Sequence, residues 1–245
     1  MKIHLVGNSV GGHLATFIAA ARPDLVKSLG LLNATPVWGL NLPGWNGQLP
    51  APWYAKIVGR YLFDKIRDLN TIEQYLKAAY GNSNAFDGEL VQQIRACTEG
   101  NGGHAAFASI MWSPPITIQR DGREISSFYD ALKVVDCDVL LLFGAEDPWC
   151  KPAFAKRMLQ SLEERPAGPL SRYVEVAGVG HCPNHESPKA TAAVLNDWWR
   201  TEEKASRQMQ GPFSIREAWG ETTVQERAQA DIPVSFVDRL AVTFV

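Results

Sequence analysis

The sequence predicts an α/β fold: a mostly parallel sheet that begins at what is normally a central strand and carries a helical insertion. Three observations point there. Apolar runs end repeatedly ahead of glycine-rich turns, at His4-Leu5-Val6, Val139–Phe143 and Tyr173–Val176. A continuous run such as Val139–Phe143 suits a parallel strand covered on both faces. An alanine-rich, helix-forming stretch follows the first of these runs, and helix-spaced apolar residues follow the last. Finally, about a hundred residues separate a strand near Lys27–Asn33 from the one at Val139–Phe143, far more than a single crossover helix needs.

Composition narrows the class. The chain has 245 residues, 46% of them hydrophobic, with 24 Lys+Arg against 26 Asp+Glu. That balance excludes chain-wide disorder, which needs low hydrophobicity and high net charge. A pI near 6.2 without a basic cluster leaves no electrostatic footprint for nucleic acid. The run Val139–Phe143 falls far short of the roughly 18 apolar residues of a membrane span. The cysteines at 97, 137, 150 and 182 form no CxxC pair, which argues against a disulfide scaffold and weakly for a reducing compartment. The amino terminus is not expected to be a secretory signal, because Gly7, Asn8, Ser9, Gly11, Gly12 and His13 break the apolar stretch that such a signal requires.

Taken in order, the first element is a short strand ending at Val6, followed by Gly7-Asn8-Ser9-Val10-Gly11-Gly12 and a helix over His13–Arg22 that Pro23 stops. Strand, sharp turn and helix around G-x-S-x-G form a nucleophile elbow. The spacing has a steric reason: strand and helix pass so close that both flanking glycines, Gly7 and Gly11, are expected to lack room for a Cβ. The turn lifts the Ser9 hydroxyl to the positive end of the helix. It also points the Val10 backbone N–H to where an oxyanion would form. A phosphate-binding P-loop would need Gly-Lys-Ser/Thr, which is absent here.

The long intervening stretch reads as a helical cap over residues 37–122. Its helices are expected near Trp53–Arg67, Thr71–Tyr80, Asp87–Glu99 and His104–Trp112, with Ser126–Val135 as the crossover back to the sheet. The core is assigned to residues 1–36 and 123–200. The tail, 201–245, is expected to be a linker with a poorly ordered or loosely docked end.

A nucleophilic serine needs a base, and the base needs an acid to hold it. Val139–Phe143 runs into Gly144-Ala145-Glu146-Asp147, which puts Asp147 at the carboxyl edge of the sheet, where Ser9 also lies. Tyr173–Val176 leads into Gly178-Val179-Gly180-His181 and brings His181 to the same edge, ahead of a helix over Lys189–Trp199. The chain order Ser, Asp, His is that of one family of triads. An Asp-Pro turn is the plain reading of Asp147 taken alone. His181-Cys182-x-x-His185 could also be half of a metal site, but no second cluster completes four ligands, so no metal is expected.

These residues resemble the α/β-hydrolase superfamily, and within it the pheophytinase group of plants and algae, whose members remove phytol from magnesium-free chlorophyll. The resemblance runs over about residues 3–200. Val6–Gly12, Gly144–Trp149 and Gly180–Pro183 are shared across the superfamily; Asn33-Ala34-Thr35-Pro36-Val37-Trp38-Gly39 and Phe107-Ala108-Ser109-Ile110-Met111 are more specific. The resemblance implies Ser9, Asp147 and His181 as catalytic triad and Val10 as oxyanion donor. It also implies Trp38, Phe107, Met111 and Trp149 as substrate-binding residues, with no metal or organic cofactor. It further implies an apolar small-molecule ester as partner, a tetrapyrrole among the options, and a chloroplast location. Gln119–Ile125 and the tail have no counterpart in that group. Only eight residues precede Ser9. The usual earlier strands and the second oxyanion donor are therefore expected to be missing, at about 10²–10³ in rate for the donor alone.

The aromatic side chains of the cap suit a large flat apolar substrate, but a cap also needs a core of its own. Two rival functions stay open at this point. A meta-cleavage-type carbon–carbon bond hydrolase shares the Gly-Asn-Ser elbow and triad. A non-catalytic ligand receptor, or an inert truncated product, shares only the fold.

Overall fold

The structure, a computed structural model, describes residues 1–166, 168–200, 211–232 and 234. They fall into two compact units: residues 1–37, 79–85 and the described residues from 117 onward in the first, residues 38–78 and 86–116 in the second.

Along the chain, the first unit opens with β1 (Ile3–Asn8), α1 (Val10–Ala21) and β2 (Val26–Leu32). The second unit supplies α2 (Trp53–Ile66), α3 (Leu69–Ala79), α4 (Gly88–Cys97) and α5 (Gly103–Trp112). The first unit resumes with β3 (Ile118–Arg120), β4 (Arg123–Ile125), α6 (Phe128–Lys133), β5 (Asp138–Gly144) and α7 (Pro152–Glu163). It ends with β6 (Ser171–Val176), α8 (Pro183–Glu186), α9 (Pro188–Arg200), β7 (Phe213–Glu217) and β8 (Gly220–Glu226).

The main sheet has the order β1-β2-β5-β6-β8-β7. The first four strands are parallel, so the loops after β1, β2, β5 and β6 all leave from one edge. Leu140, Leu141, Leu142 and Phe143 of β5 are each at most 1% exposed, as a strand covered on both faces must be. One face is covered by α9, whose Ala190, Val194 and Trp198 join Leu140, Leu142, Val174 and Val176 in a single cluster. These three side chains recur at helical spacing, the pattern that placed this helix in the sequence.

Two segments depart from the sequence expectation. Residues 213–226, expected within a poorly ordered tail, form the hairpin β7–β8, and β8 adds to β6 antiparallel. Its anchor is Val224, fully buried in the α9-side cluster. Two short alternating runs around Ala218-Trp219-Gly220 were the overlooked hairpin signal. Residues 201–210 and 235–245 of the expected tail lie outside the described residues. Gln119–Ile125, which had no counterpart, is the hairpin β3–β4, turning at Asp121-Gly122 with φ of 52° and 73°. Asp-Gly suits that turn because both central residues need positive φ.

In the helical unit, α2 and α5 pack through small residues. A Cβ on Gly59 would stand 2.5 Å from the Ala108 Cβ. The core holds Ala51, Ala55, Ala108, Met111 and Trp112. Asp87 caps α4 by accepting from the Glu89 and Leu90 N–H groups. The stretch 79–85, expected inside the insertion, packs with the first unit.

Candidate active site

Ser9 sits between β1 and α1 with φ 51° and ψ −120°, a conformation that costs a non-glycine residue about 1–3 kcal/mol. Its surroundings hold it there. The Ser9 N–H donates to Leu32 O at 3.0 Å, and Ser9 O accepts from Gly12 N–H at 3.0 Å and His13 N–H at 3.2 Å. The Val10 N–H lies in the first turn of α1, where backbone donors have no partner within the helix.

The steric rule expected for both motif glycines holds for one of them. A Cβ on Gly7 would run into the Gly11 carbonyl group and stand 2.5 Å from Gly12 N, whereas a Cβ on Gly11 meets nothing within 4 Å. The second close approach belongs to Gly12, whose Cβ would stand 2.5 Å from that of Ala34. The helix leaves the turn with Gly11 facing outward, so Gly7 and Gly12 bear the constraint. Gly7→Ala is therefore expected to lower unfolding stability by about 3 kcal/mol. Gly11→Ala is expected to raise it by up to about 1 kcal/mol. Urea denaturation of the two variants checks the contrast, and equal losses would refute it.

Asp147 follows β5 and His181 follows β6, and the structure brings their side chains together. His181 Nδ1 lies 2.7 Å from Asp147 Oδ2, with Asp147 3% and His181 8% exposed. The same Oδ2 accepts from Asn33 Nδ2 at 2.7 Å. Oδ1 accepts from the backbone N–H groups of Trp149 at 2.8 Å and Cys150 at 3.0 Å. With the carboxylate accepting, Nδ1 carries the imidazole proton and Nε2 is left as the acceptor. Asn8, next to Ser9, donates from Nδ2 to His181 O at 2.8 Å and to Leu32 O at 3.0 Å. The turn bearing the hydroxyl and the loop bearing the imidazole are thus tied by one side chain. Among the described residues the Ser9 hydroxyl itself makes no hydrogen bond; such bonds commonly tighten only when substrate is in place.

Sequence reasoning assigned no role to Asn33, which is fully buried at the end of β2. Its Oδ1 accepts from the Gly144 N–H at 2.9 Å while its amide nitrogen holds Asp147. A polar residue directly after the apolar run Leu29–Leu32, at the same sheet edge as Ser9, was the available signal.

Of the four substrate-binding candidates, Trp149 packs edge-on against His181, ring centroids 4.9 Å apart, and is 46% exposed. Trp38, Phe107 and Met111 belong to the helical unit. Trp38 Nε1 donates to Ser113 Oγ at 3.1 Å, Phe107 faces Phe63 at 5.9 Å, and Met111 is buried in that unit's core. The two specific stretches meet each other: a Cβ on Gly39 would strike Ile110 O, and Leu42 N–H donates to Met111 O at 3.2 Å.

Asp147, Cys150 and His181 offer ligand atoms within 4.8 Å of one another. Burial, helped by the charge of Asp147, pushes the Cys150 thiol up to about 12. The carboxylate oxygens are already engaged by Asn33, Trp149, Cys150 and His181. That donor set is committed to hydrogen bonding. His185, the other member of the cluster weighed as half a metal site, meets the Tyr80 hydroxyl at 3.1 Å through Nδ1.

Comparison with known proteins places the chain. The model of the Alpha/beta hydrolase family matches residues 2–194. Chloroplastic pheophytinase of Arabidopsis thaliana is 32% identical over 210 residues, which are 80% of this chain and 40% of that protein. Pimeloyl-(acyl-carrier protein) methyl ester esterase of Neisseria meningitidis is 26% identical over 196 residues, 79% of this chain and 56% of that protein. The chain thus spans less than two thirds of the length of either of these relatives. Among solved structures, 2-hydroxy-6-oxo-6-phenylhexa-2,4-dienoate hydrolase of Rhodococcus sp. strain RHA1 superimposes with a TM-score of 0.56 at 16% identity. That match covers 82% of this chain and 64% of that one. With the family model running from β1 into α9, through every loop that bears a predicted site residue of the sheet edge, the chain belongs to the alpha/beta hydrolase family.

Proposed function

We propose that the protein is a serine hydrolase acting on the carboxylic ester of a large apolar substrate, with Ser9, His181 and Asp147 as catalytic triad. The observation that carries this reading is the buried 2.7 Å contact of His181 Nδ1 with Asp147, in a loop that Asn8 ties to the strained turn at Ser9. In this mechanism His181 Nε2 takes the Ser9 proton as Oγ attacks the ester carbonyl. The Val10 N–H faces the oxyanion. The imidazolium returns its proton to the leaving alkoxide, and water then releases the acid from the acyl-enzyme by the same steps in reverse order.

The similarity to pheophytinase supports a phytyl ester of a magnesium-free chlorophyll as substrate and a chloroplast location. The aromatic surface of Trp149 beside the imidazole supports an apolar ligand, and the resemblance to pheophytinase supports Trp38, Phe107 and Met111 as further substrate-binding residues. Among the described residues no helix is long and apolar enough to cross a membrane.

The test is a product assay with three substrates: pheophytin, a short chromogenic ester and a ring-cleavage dienone. Pheophytin is expected to yield its free acid and phytol, and the short ester to turn over with lower kcat/KM. Turnover of the dienone alone would replace ester hydrolysis by carbon–carbon cleavage. Ligand binding without any turnover, and without labelling by a fluorophosphonate, would make the protein a receptor.

A further inference from the structure

We propose that Glu186 is a positioning residue for His181: its buried carboxylate fastens the loop that carries the imidazole to segment 79–85 and so fixes where Nε2 stands. The proposal rests on the serine-hydrolase reading above.

Glu186 is 1% exposed at the end of α8. Its Oε2 accepts from the N–H groups of Gly180 at 2.9 Å and Gly81 at 2.8 Å, and its Oε1 from Cys182 N–H at 3.1 Å. The backbone N–H of Asn82 is a further donor. Gly180 and Cys182 are the two neighbours of His181. The remaining backbone groups of the histidine are held as well, its N–H by Ala79 O at 2.8 Å and its carbonyl by Asn8. Both peptide units flanking the imidazole are thereby held by hydrogen bonds, the first through the His181 N–H and the second through the His181 carbonyl and the Cys182 N–H.

The chemistry of the side chain fits this task. Four converging N–H groups call for a group with several lone pairs and no donor of its own, which a carboxylate is and an amide is not. Among the described residues no lysine or arginine pairs with Glu186. Burial raises its carboxyl above the usual range, while the backbone donors pull it back down. A group serving only to fill space would do so better as an apolar residue. The loop and the segment also meet without slack, because a Cβ on Gly180 would strike Ala79 O and stand 2.6 Å from Gly81 N. Releasing one side lets the imidazole drift, and a misplacement of about 1 Å costs on the order of 10²-fold in rate.

The test compares wild type with Glu186→Gln and Glu186→Ala, with Ser9→Ala as control. It measures three things: the stoichiometry and rate of fluorophosphonate labelling, kcat and KM on a chromogenic ester, and the low-field proton resonance of the His181 Nδ1–H. Both variants are expected to label to the same final stoichiometry, but with labelling rate and kcat lowered about 10²-fold and KM within about twofold. The resonance is expected to broaden or vanish. A fall in rate that only tracks a smaller labelled fraction means loss of folded protein and overturns the proposal, as does a wild-type rate in Glu186→Gln. If wild type itself fails to label, the hydrolase reading falls and the resonance decides alone: its persistence in Glu186→Gln overturns the positioning role, and its loss sustains it.

Discussion

Ser9→Ala is expected to abolish covalent labelling by a fluorophosphonate and to lower ester hydrolysis by about 10⁶-fold, the size of effect seen when a triad serine is removed. The reasoning begins with the backbone. A serine at φ 51° is strained, and backbone hydrogen bonds with Leu32, Gly12, His13 and Thr35 and the close approach of Gly7 to Gly11 hold it there. Strain kept at a serine that opens a helix and is tied through its neighbour Asn8 to a histidine loop is the expected signature of a nucleophile. The rival nucleophiles nearby are the thiols of Cys150 and Cys182. Burial pushes them up to about 12 and about 11, so both stay protonated and unreactive at neutral pH. Labelling that survives in Ser9→Ala would transfer the role to one of them and remove the basis for the mechanism. Because alanine adopts positive φ with no more strain than serine, the variant should keep its fold, and thermal unfolding close to wild type confirms that activity alone was lost.

What could be read in the sequence divides along sequence separation. The sheet-edge positions of Ser9, Asp147 and His181 were legible because each lies in the loop after its own apolar run, and a parallel sheet sends the three loops to one edge without further information. The four helices of the second unit were expected close to where they stand, and α9 was legible from its apolar spacing at Ala190, Val194 and Trp198. Asn33 and Glu186 were not. Asn33 lies 114 residues from Asp147, and Glu186 105 residues from Gly81, so the hydrogen bonds that define their roles exist only after folding. The expectation for Gly11 failed through a local geometric detail, since which glycine faces the strand depends on the phase with which α1 leaves the turn. The β7–β8 hairpin was missed because its charged, polar outer face outweighed the single inward row that ends in Val224. Trp149 shows the limit of a motif: its N–H supports Asp147 and its ring supports His181, two contacts that a list of aromatic residues does not reveal.

Asp147→Asn is expected to lower kcat by about 10⁴-fold while leaving the fold intact, because it reverses the tautomer of His181. The carboxylate takes four donors, two on each oxygen: the Trp149 and Cys150 N–H groups on Oδ1, Asn33 Nδ2 and His181 Nδ1 on Oδ2. An amide has one accepting oxygen and one donating NH₂. If its nitrogen took the place of Oδ1, it would meet two fixed backbone donors that cannot turn away. The amide oxygen therefore stays with the backbone pair, and the NH₂ faces the imidazole. His181 Nδ1 must then accept, its proton moves to Nε2, and nothing remains to receive the proton of Ser9. The comparison with Asn33→Ala makes this specific. That variant removes one donor from Oδ2 and leaves the backbone pair and the tautomer in place, so it should cost no more than about 10²-fold. Equal losses in the two variants, or an Asp147→Asn protein active to within tenfold of wild type, would mean that the carboxylate only packs beside the histidine and does not set its proton.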